Sequence, residues 1–311
     1  MTLPSFQTKL AILGVALALM LAASWALFAQ AQAERVVVVN SDGAVEKYKA
    51  AQEAFRETLG KPVKAIDIAK MSDAAAERAI RAEAPTAVYC IGARAFLASS
   101  RAARGRPIVM SSAINWQRLP GSDAAQTHII ANELSSEAQL TMFRYFFPEV
   151  KRVGVLYSAE FNRQWIVDAA AAGRNVGVEV IGVSVRSAQG APSELSHLLP
   201  RVDALWITAD PVVLVDETAA RALFAAAAVA RKPVFTYASA FAELSPTLIV
   251  APDVATIGRQ AAGLLQGLGP GAKKQIESPA GSEVILNLRA VQEYGLELNN
   301  EAMDSVNRLL S

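Results

Sequence analysis

The sequence predicts an α/β protein of two similar, Rossmann-like lobes, each a parallel sheet with helices on both faces. Three observations carry this. Short β-branched runs alternate with segments of helical periodicity from residue 35 to residue 268, the pattern of repeated βαβ units. The runs lack polar alternation, so they read as strands buried on both faces. The pattern also restarts once, at Arg152-Val-Gly-Val-Leu-Tyr157, as a second lobe of the same design would.

The first strand is Arg35-Val-Val-Val-Val-Asn40, bounded by the turn residues Ser41-Asp42-Gly43. Val45, Tyr48, Ala51, Phe55 and Leu59 then recur at helical spacing until Gly60 stops the helix. Residues 62–68 form the next strand, and Ser72 caps a helix running to Glu83. A strand over 86–91, a helix over 93–103 and a strand over 107–112 follow. A strand over 128–134 and a helix over 135–147 close the first section.

In the second section, strands are expected over 152–157, 179–185, 203–208 and 233–237, and helices over 161–176, 192–199 and 215–231. The last of these helices has Asp216 and Glu217 in its first turn and Arg231-Lys232 at its end, which suits its dipole. Three crossings between lobes are expected: near Phe147-Pro148, at 248–252 before a helix over 253–268, and at 283–288 after the linker Gly267-Leu-Gly-Pro-Gly271. That linker follows a helix and lacks Lys-Ser/Thr, so it is not a phosphate loop. The resulting division is a first lobe of 34–148 plus 249–281 and a second of 149–248 plus 282–311.

Residues 1–33 read as a secretory signal peptide. Lys9 supplies the positive region, 10–28 is apolar apart from Ser24, and Ala29-Gln-Ala31 and Ala31-Gln-Ala33 offer small-x-small cleavage sites. Cleavage after Ala33 leaves Glu34 as the mature terminus; the alternative is a retained transmembrane anchor. No Cys follows the apolar stretch, so no lipid anchor is expected there. The lone Cys90 excludes an intramolecular disulfide and sits in an apolar run, as a buried thiol would. The net charge of +1 argues against a nucleic-acid partner.

The order of Arg35-Val-Val-Val-Val-Asn40, Ala87-Val-Tyr-Cys-Ile-Gly92, Arg152-Val-Gly-Val-Leu-Tyr157, Pro233-Val-Phe-Thr236 and Ile257-Gly-Arg-Gln-Ala-Ala262 resembles the ABC transporter substrate-binding family with the type I periplasmic-binding fold. The tail Leu286-Asn-Leu-Arg-Ala-Val-Gln-Glu-Tyr-Gly-Leu296 is the most specific match. The resemblance spans nearly all of the mature chain. It implies a capture protein for an importer, in a family whose characterised amino-acid binders favour aromatic and other apolar amino acids. Two loops depart from the family pattern. Ser111-Ser-Ala-Ile-Asn-Trp116 replaces an Asp-Pro loop, and Ser239-Ala-Phe-Ala-Glu-Leu-Ser-Pro246 replaces a Gly-Ala segment.

Ligands of open α/β sheets sit beyond the carboxyl ends of the strands. From the first lobe this rule selects Asn40, Ser41, Asp42, Gly92, Arg94, Ser111, Ser112 and Asn115. From the second it selects Ser158, Glu160, Phe161, Asn162, Thr208, Asp210, Tyr237 and Ser239. Hydroxyls at helix N-termini can hold a carboxylate beside free N–H groups. Arg94 can fork onto a carboxylate, and Asp210 or Glu160 can pair with an ammonium. Trp116, Phe161 and Tyr237 can stack on a ring or cover an apolar group. Each has a structural alternative. Ser and Asp are ordinary turn and cap residues, Asp210-Pro211 can simply start a helix, and Arg94 can be a solvated helix residue. Trp165 and Trp206 read as core.

Catalysis is not expected. His128 and His197 lack metal-ligand spacing, and neither a Gly-x-Ser-x-Gly elbow nor a Gly-x-Gly-x-x-Gly turn is present. No cofactor or metal is expected. The expectation is an exported periplasmic monomer that closes on a small molecule, an amino acid or related carboxylate, and docks an ABC permease in the inner membrane. The alternative is a periplasmic subunit that presents ligand status to a membrane sensor receptor. A third reading, a scaffold without ligand, predicts a cleft plugged by Trp116 or Phe241.

Overall fold

The computed structural model describes residues 35–269 and 271–310. The leader expected at 1–33 lies outside the described residues. In chain order the strands are β1 (Val36–Asn40), β2 (Lys64–Asp67), β3 (Ala87–Ile91), β4 (Ile108–Ser111), β5 (Thr127–Ile130), β6 (Arg152–Ser158) and β7 (Glu179–Val185). They continue as β8 (Ala204–Ile207), β9 (Val234–Thr236), β10 (Leu248–Pro252), β11 (Ile276–Glu277), β12 (Ser282–Asn287) and β13 (Arg308–Leu310). The helices are α1 (Glu46–Leu59), α2 (Asp73–Ala82), α3 (Ala93–Ala102), α4 (Ser136–Phe146), α5 (Ala159–Val176), α6 (Ala191–Leu198), α7 (Glu217–Val229), α8 (Val254–Gly267) and α9 (Leu288–Tyr294).

These strands make two sheets, ordered β11-β5-β4-β3-β1-β2 and β13-β12-β10-β9-β8-β6-β7. The first is parallel throughout its pairings; the second has one antiparallel pair, β10 with β12. The cores β2-β1-β3-β4-β5 and β7-β6-β8-β9-β10 repeat one order, so the restart at Arg152 is a repeat in space. Every residue of β1, β3, β4 and β8 is buried, as apolar runs without alternation require. Gly258 lets α8 lie on α1, since a Cβ there would come 2.2 Å from the Ala51 carbonyl oxygen. Cys90 is buried in β3, and burial pushes its thiol up to about 12.

The sheets divide the chain differently from the sequence expectation in two places. Helix α4 was placed in the first lobe, but Leu140, Phe143, Phe146 and Phe147 pack with Trp206 and Phe235 of the second. Its amphipathic stripe does not specify which sheet it covers; the matching aromatic surface of β8 and β9 does. Residues 249–252 also belong to the second lobe, because β10 pairs with β9 and β12. The three crossings therefore run through 131–135, 252–254 and 278–281, each between an element of one lobe and an element of the other. Among the described residues, no helix is long and apolar enough to cross a membrane.

Candidate functional site

The carboxyl ends of β1 and β3, where the strand order reverses, are closed by the protein's own groups. Ser41 Oγ accepts the Ala95 N–H of α3 at 2.9 Å. Gly92, at φ +88°, brings the start of α3 against Ser41, and a Cβ there would lie 2.6 Å from Ser41 Oγ. The Arg94 guanidinium donates to the carbonyls of Ile68 at 2.7 Å and Ala69 at 3.2 Å, donates also to Met71, and lies 3.6 Å from Asp73. It fastens the 68–73 turn rather than reaching a ligand. Asp42 accepts the Ala44 N–H at 2.9 Å, an Asx turn. Ser111 Oγ pairs with the Tyr89 hydroxyl at 2.8 Å, and Ser112 Oγ lies 3.5 Å from it.

The same thing happens at the ends of β6 and β8. Asp210 is buried, and its Oδ2 accepts the Ser158 N–H and the Asn162 Nδ2–H, both at 2.6 Å. Its Oδ1 accepts the N–H groups of Val212 at 2.9 Å and Val213 at 3.0 Å. Four donors occupy this carboxylate, so it ties the start of α5 to the turn after β8. Ser239 opens a short 3-10 turn, Ser239–Leu244, whose Phe241 packs on Tyr237 and Phe224.

The open space lies between the lobes, one layer further out. A cavity of about 620 Å³ is bounded by the loop after β4 (Asn115 to Arg118), the first crossing (Ala131 to Ser136 without Asn132), the start of α5 (Glu160, Phe161, Asn162, Gln164, Trp165, Asp168) and Gln139, Thr208, Ala209 and Tyr237. Of the residues expected from sequence, it brings together Asn115, Trp116, Glu160, Phe161, Asn162, Thr208 and Tyr237. Asn40, Ser41, Asp42, Gly92, Arg94, Ser111, Ser112, Ser158, Asp210 and Ser239 do not line it.

Aromatic rings from both lobes line the cavity. Trp116, Phe161, Trp165 and Tyr237 all face the cavity. Trp165 is not simply core: it packs against the buried Trp206 in a tilted arrangement, with ring centroids 5.1 Å apart, and it also lines the space. Trp206 Nε1 donates to Gln139 Oε1 at 3.2 Å, and Gln139 Nε2 donates to the Leu134 carbonyl at 3.0 Å. The Arg118 guanidinium of the first lobe lies over the Phe161 ring of the second, 3.5 Å from its centroid. That contact bridges the lobes across the cavity. Neither Trp116 nor Phe241 plugs the space.

The other notable group is Glu133, in the first crossing. Its carboxylate oxygen Oε1 is enclosed and has no hydrogen-bond partner. Burial pushes its carboxyl up from 4.5 to about 7, opposed by a hydrogen bond from its own backbone N–H. Burial raises the Tyr237 phenol above its usual value, and the Glu133 charge raises it further. Sequence reasoning missed Glu133 because it extended the strand to Leu134. With β5 ending at Ile130, the carboxyl-end rule selects Glu133 directly. Arg118 carried no such signal, since only the folding of its loop brings it to Phe161.

A family model described as ABC transporter substrate binding protein matches residues 35–308. No curated protein matches the chain. Among the solved structures similar to it are two of the same fold. One is the ligand-free, open structure of a substrate binding protein with adhesive properties from Clostridium difficile, with 15% identity and a TM-score of 0.67, covering 88% of this chain and 98% of that one. The other is an ABC domain from Streptococcus pneumonia in complex with L-Trp, with 14% identity and a TM-score of 0.56, covering 88% of this chain and 100% of that one.

Proposed function

The chain belongs to the ABC transporter substrate-binding protein family, and from that premise we propose that it is a periplasmic solute-binding protein serving an ABC importer. It captures one small molecule between its lobes and presents the closed form to a membrane permease. The observation that carries this is the cavity of about 620 Å³ between the lobes, within the range of small-molecule sites. Three crossings join the lobes, so closure is a hinge motion about short segments. The solute drives closure only by binding the closed state better than the open one. The signal-peptide pattern read in the sequence of 1–33 supports export. The aromatic lining, and the L-Trp held by the pneumococcal domain of the same fold, make aromatic and other apolar amino acids the first class to test.

The experiment is thermal melting of the purified protein with amino acids, small carboxylates, purines and sugars. A true ligand at a hundred times its Kd adds about 2.7 kcal/mol. Small-angle X-ray scattering then reads the closure. A panel-wide absence of any shift in ligand-free protein overturns the reading.

A further inference from the structure

We propose that Glu133 is the receptor for a cationic nitrogen, and that the solute is an organic amine with an aromatic or apolar body. This rests on the cavity being the solute site. An enclosed carboxylate oxygen without a partner is costly to leave unmade, and at Asp210 the same protein supplies four donors to a buried carboxylate. At Glu133 it supplies none to Oε1. Glu133 lines the cavity, so a protonated amine entering there brings the missing charge, and the missing donor once the side chain turns Oε1 toward it.

The surrounding groups select the same chemistry. The charged side chains lining the cavity are Glu133, Glu160 and Asp168 against Arg118, an excess of negative charge. Arg118 is laid on the Phe161 ring. Trp116, Trp165 and Tyr237 offer ring faces or edges, and aromatic walls around a cation add attraction through their quadrupoles. An ammonium on Glu133 places an apolar body against these rings. A free carboxylate on the solute is not required, since no cation in the lining is left without a contact to receive it. Amino acids therefore enter through their ammonium, and the corresponding simple amines enter as well.

Glu133 also occupies the first crossing between the lobes. A cation seated there bears on the hinge itself, so occupancy and closure share one residue.

The test uses aryl- and alkylamines, each matched with the amino acid, the alcohol and the carboxylic acid on the same body; phenylethylamine, phenylalanine, phenylethanol and phenylacetate form one such set. Binding is measured calorimetrically. Amines and amino acids are expected to bind the intact protein about ten- to a hundredfold more tightly than the matched alcohols, with the acids weakest. Glu133→Gln is expected to erase that difference while its melting temperature without ligand does not fall. An alcohol binding as well as its amine overturns the inference without any variant, as does unchanged amine affinity in Glu133→Gln. Binding only of acids, sugars or purines overturns the cationic assignment and leaves solute capture standing. Binding of nothing overturns both.

Discussion

Asp210 and Glu133 are both carboxylates set near the cleft, and they have opposite surroundings. Asp210 accepts four hydrogen bonds and is finished as the chain folds. Glu133 keeps an enclosed oxygen with no partner, and its carboxyl is raised to about 7. The first is what a buried charge needs for stability. The second costs stability, which is expected where a ligand completes the structure. The carboxyl-end rule led to the neighbourhood of the cavity, but satisfaction of hydrogen bonds separates the carboxylate that the fold completes from the one that it leaves open.

Removing the satisfied carboxylate is expected to have the largest effect. Asp210→Ala strands the N–H groups of Ser158, Val212 and Val213 and frees Asn162, and should cost about 3 kcal/mol or more in chemical denaturation. A small loss of stability with a large loss of solute affinity would place Asp210 with Glu133 and collapse the contrast.

Glu133→Gln should do the reverse. A carboxyl whose folded value lies above its unfolded value is most stable when protonated. Its stabilisation is full below about 4.5 and is lost as pH rises through about 7. The variant should therefore be more stable than the ligand-free wild type at pH 8, by at most about 3 kcal/mol. The two should converge near pH 4.5. Denaturation curves at both pH values read this, and equal stability at pH 8 would mean that burial does not press on this group.

At the reversal point of the first sheet, Arg94→Ala and Ser41→Ala should each lower stability by about 1 kcal/mol, through lost carbonyl bonds and a lost helix cap. Solute affinity should stay the same. A tenfold weakening of binding in either would return the β1/β3 crevice to the site. The smallest effect is expected from Phe161→Ala, which removes a cross-lobe cation–π contact of about 0.5–1 kcal/mol. It should shift ligand-free protein toward an open form, seen as a larger radius of gyration, with little change in melting.

Much of the fold was legible. Short β-branched apolar runs bounded by turn residues read as strands covered on both faces, and their restart at Arg152 announced the second lobe. Ser72 was legible as a helix cap, and its side chain accepts the Ala75 N–H; Ser135 and Asp216, read as first-turn residues, cap their helices in the same way. The candidate site was legible only in part. Asn115, Glu160, Phe161, Asn162 and Tyr237 reach the cavity, whereas Ser41, Arg94 and Asp210 were chosen by residue type and prove to be engaged at home.

What the sequence by itself determined is the pattern of local order: strands, helices, caps and the repeat, because each is written in neighbours a few residues apart. The tertiary structure alone decided which lobe α4 covers, where the first crossing runs, and that Arg118 meets Phe161 while Oε1 of Glu133 is left without a donor. Those outcomes depend on groups far apart in the chain. A carboxylate's chemistry is decided by the donors that folding brings to it, and its own residue type does not record whether they arrive.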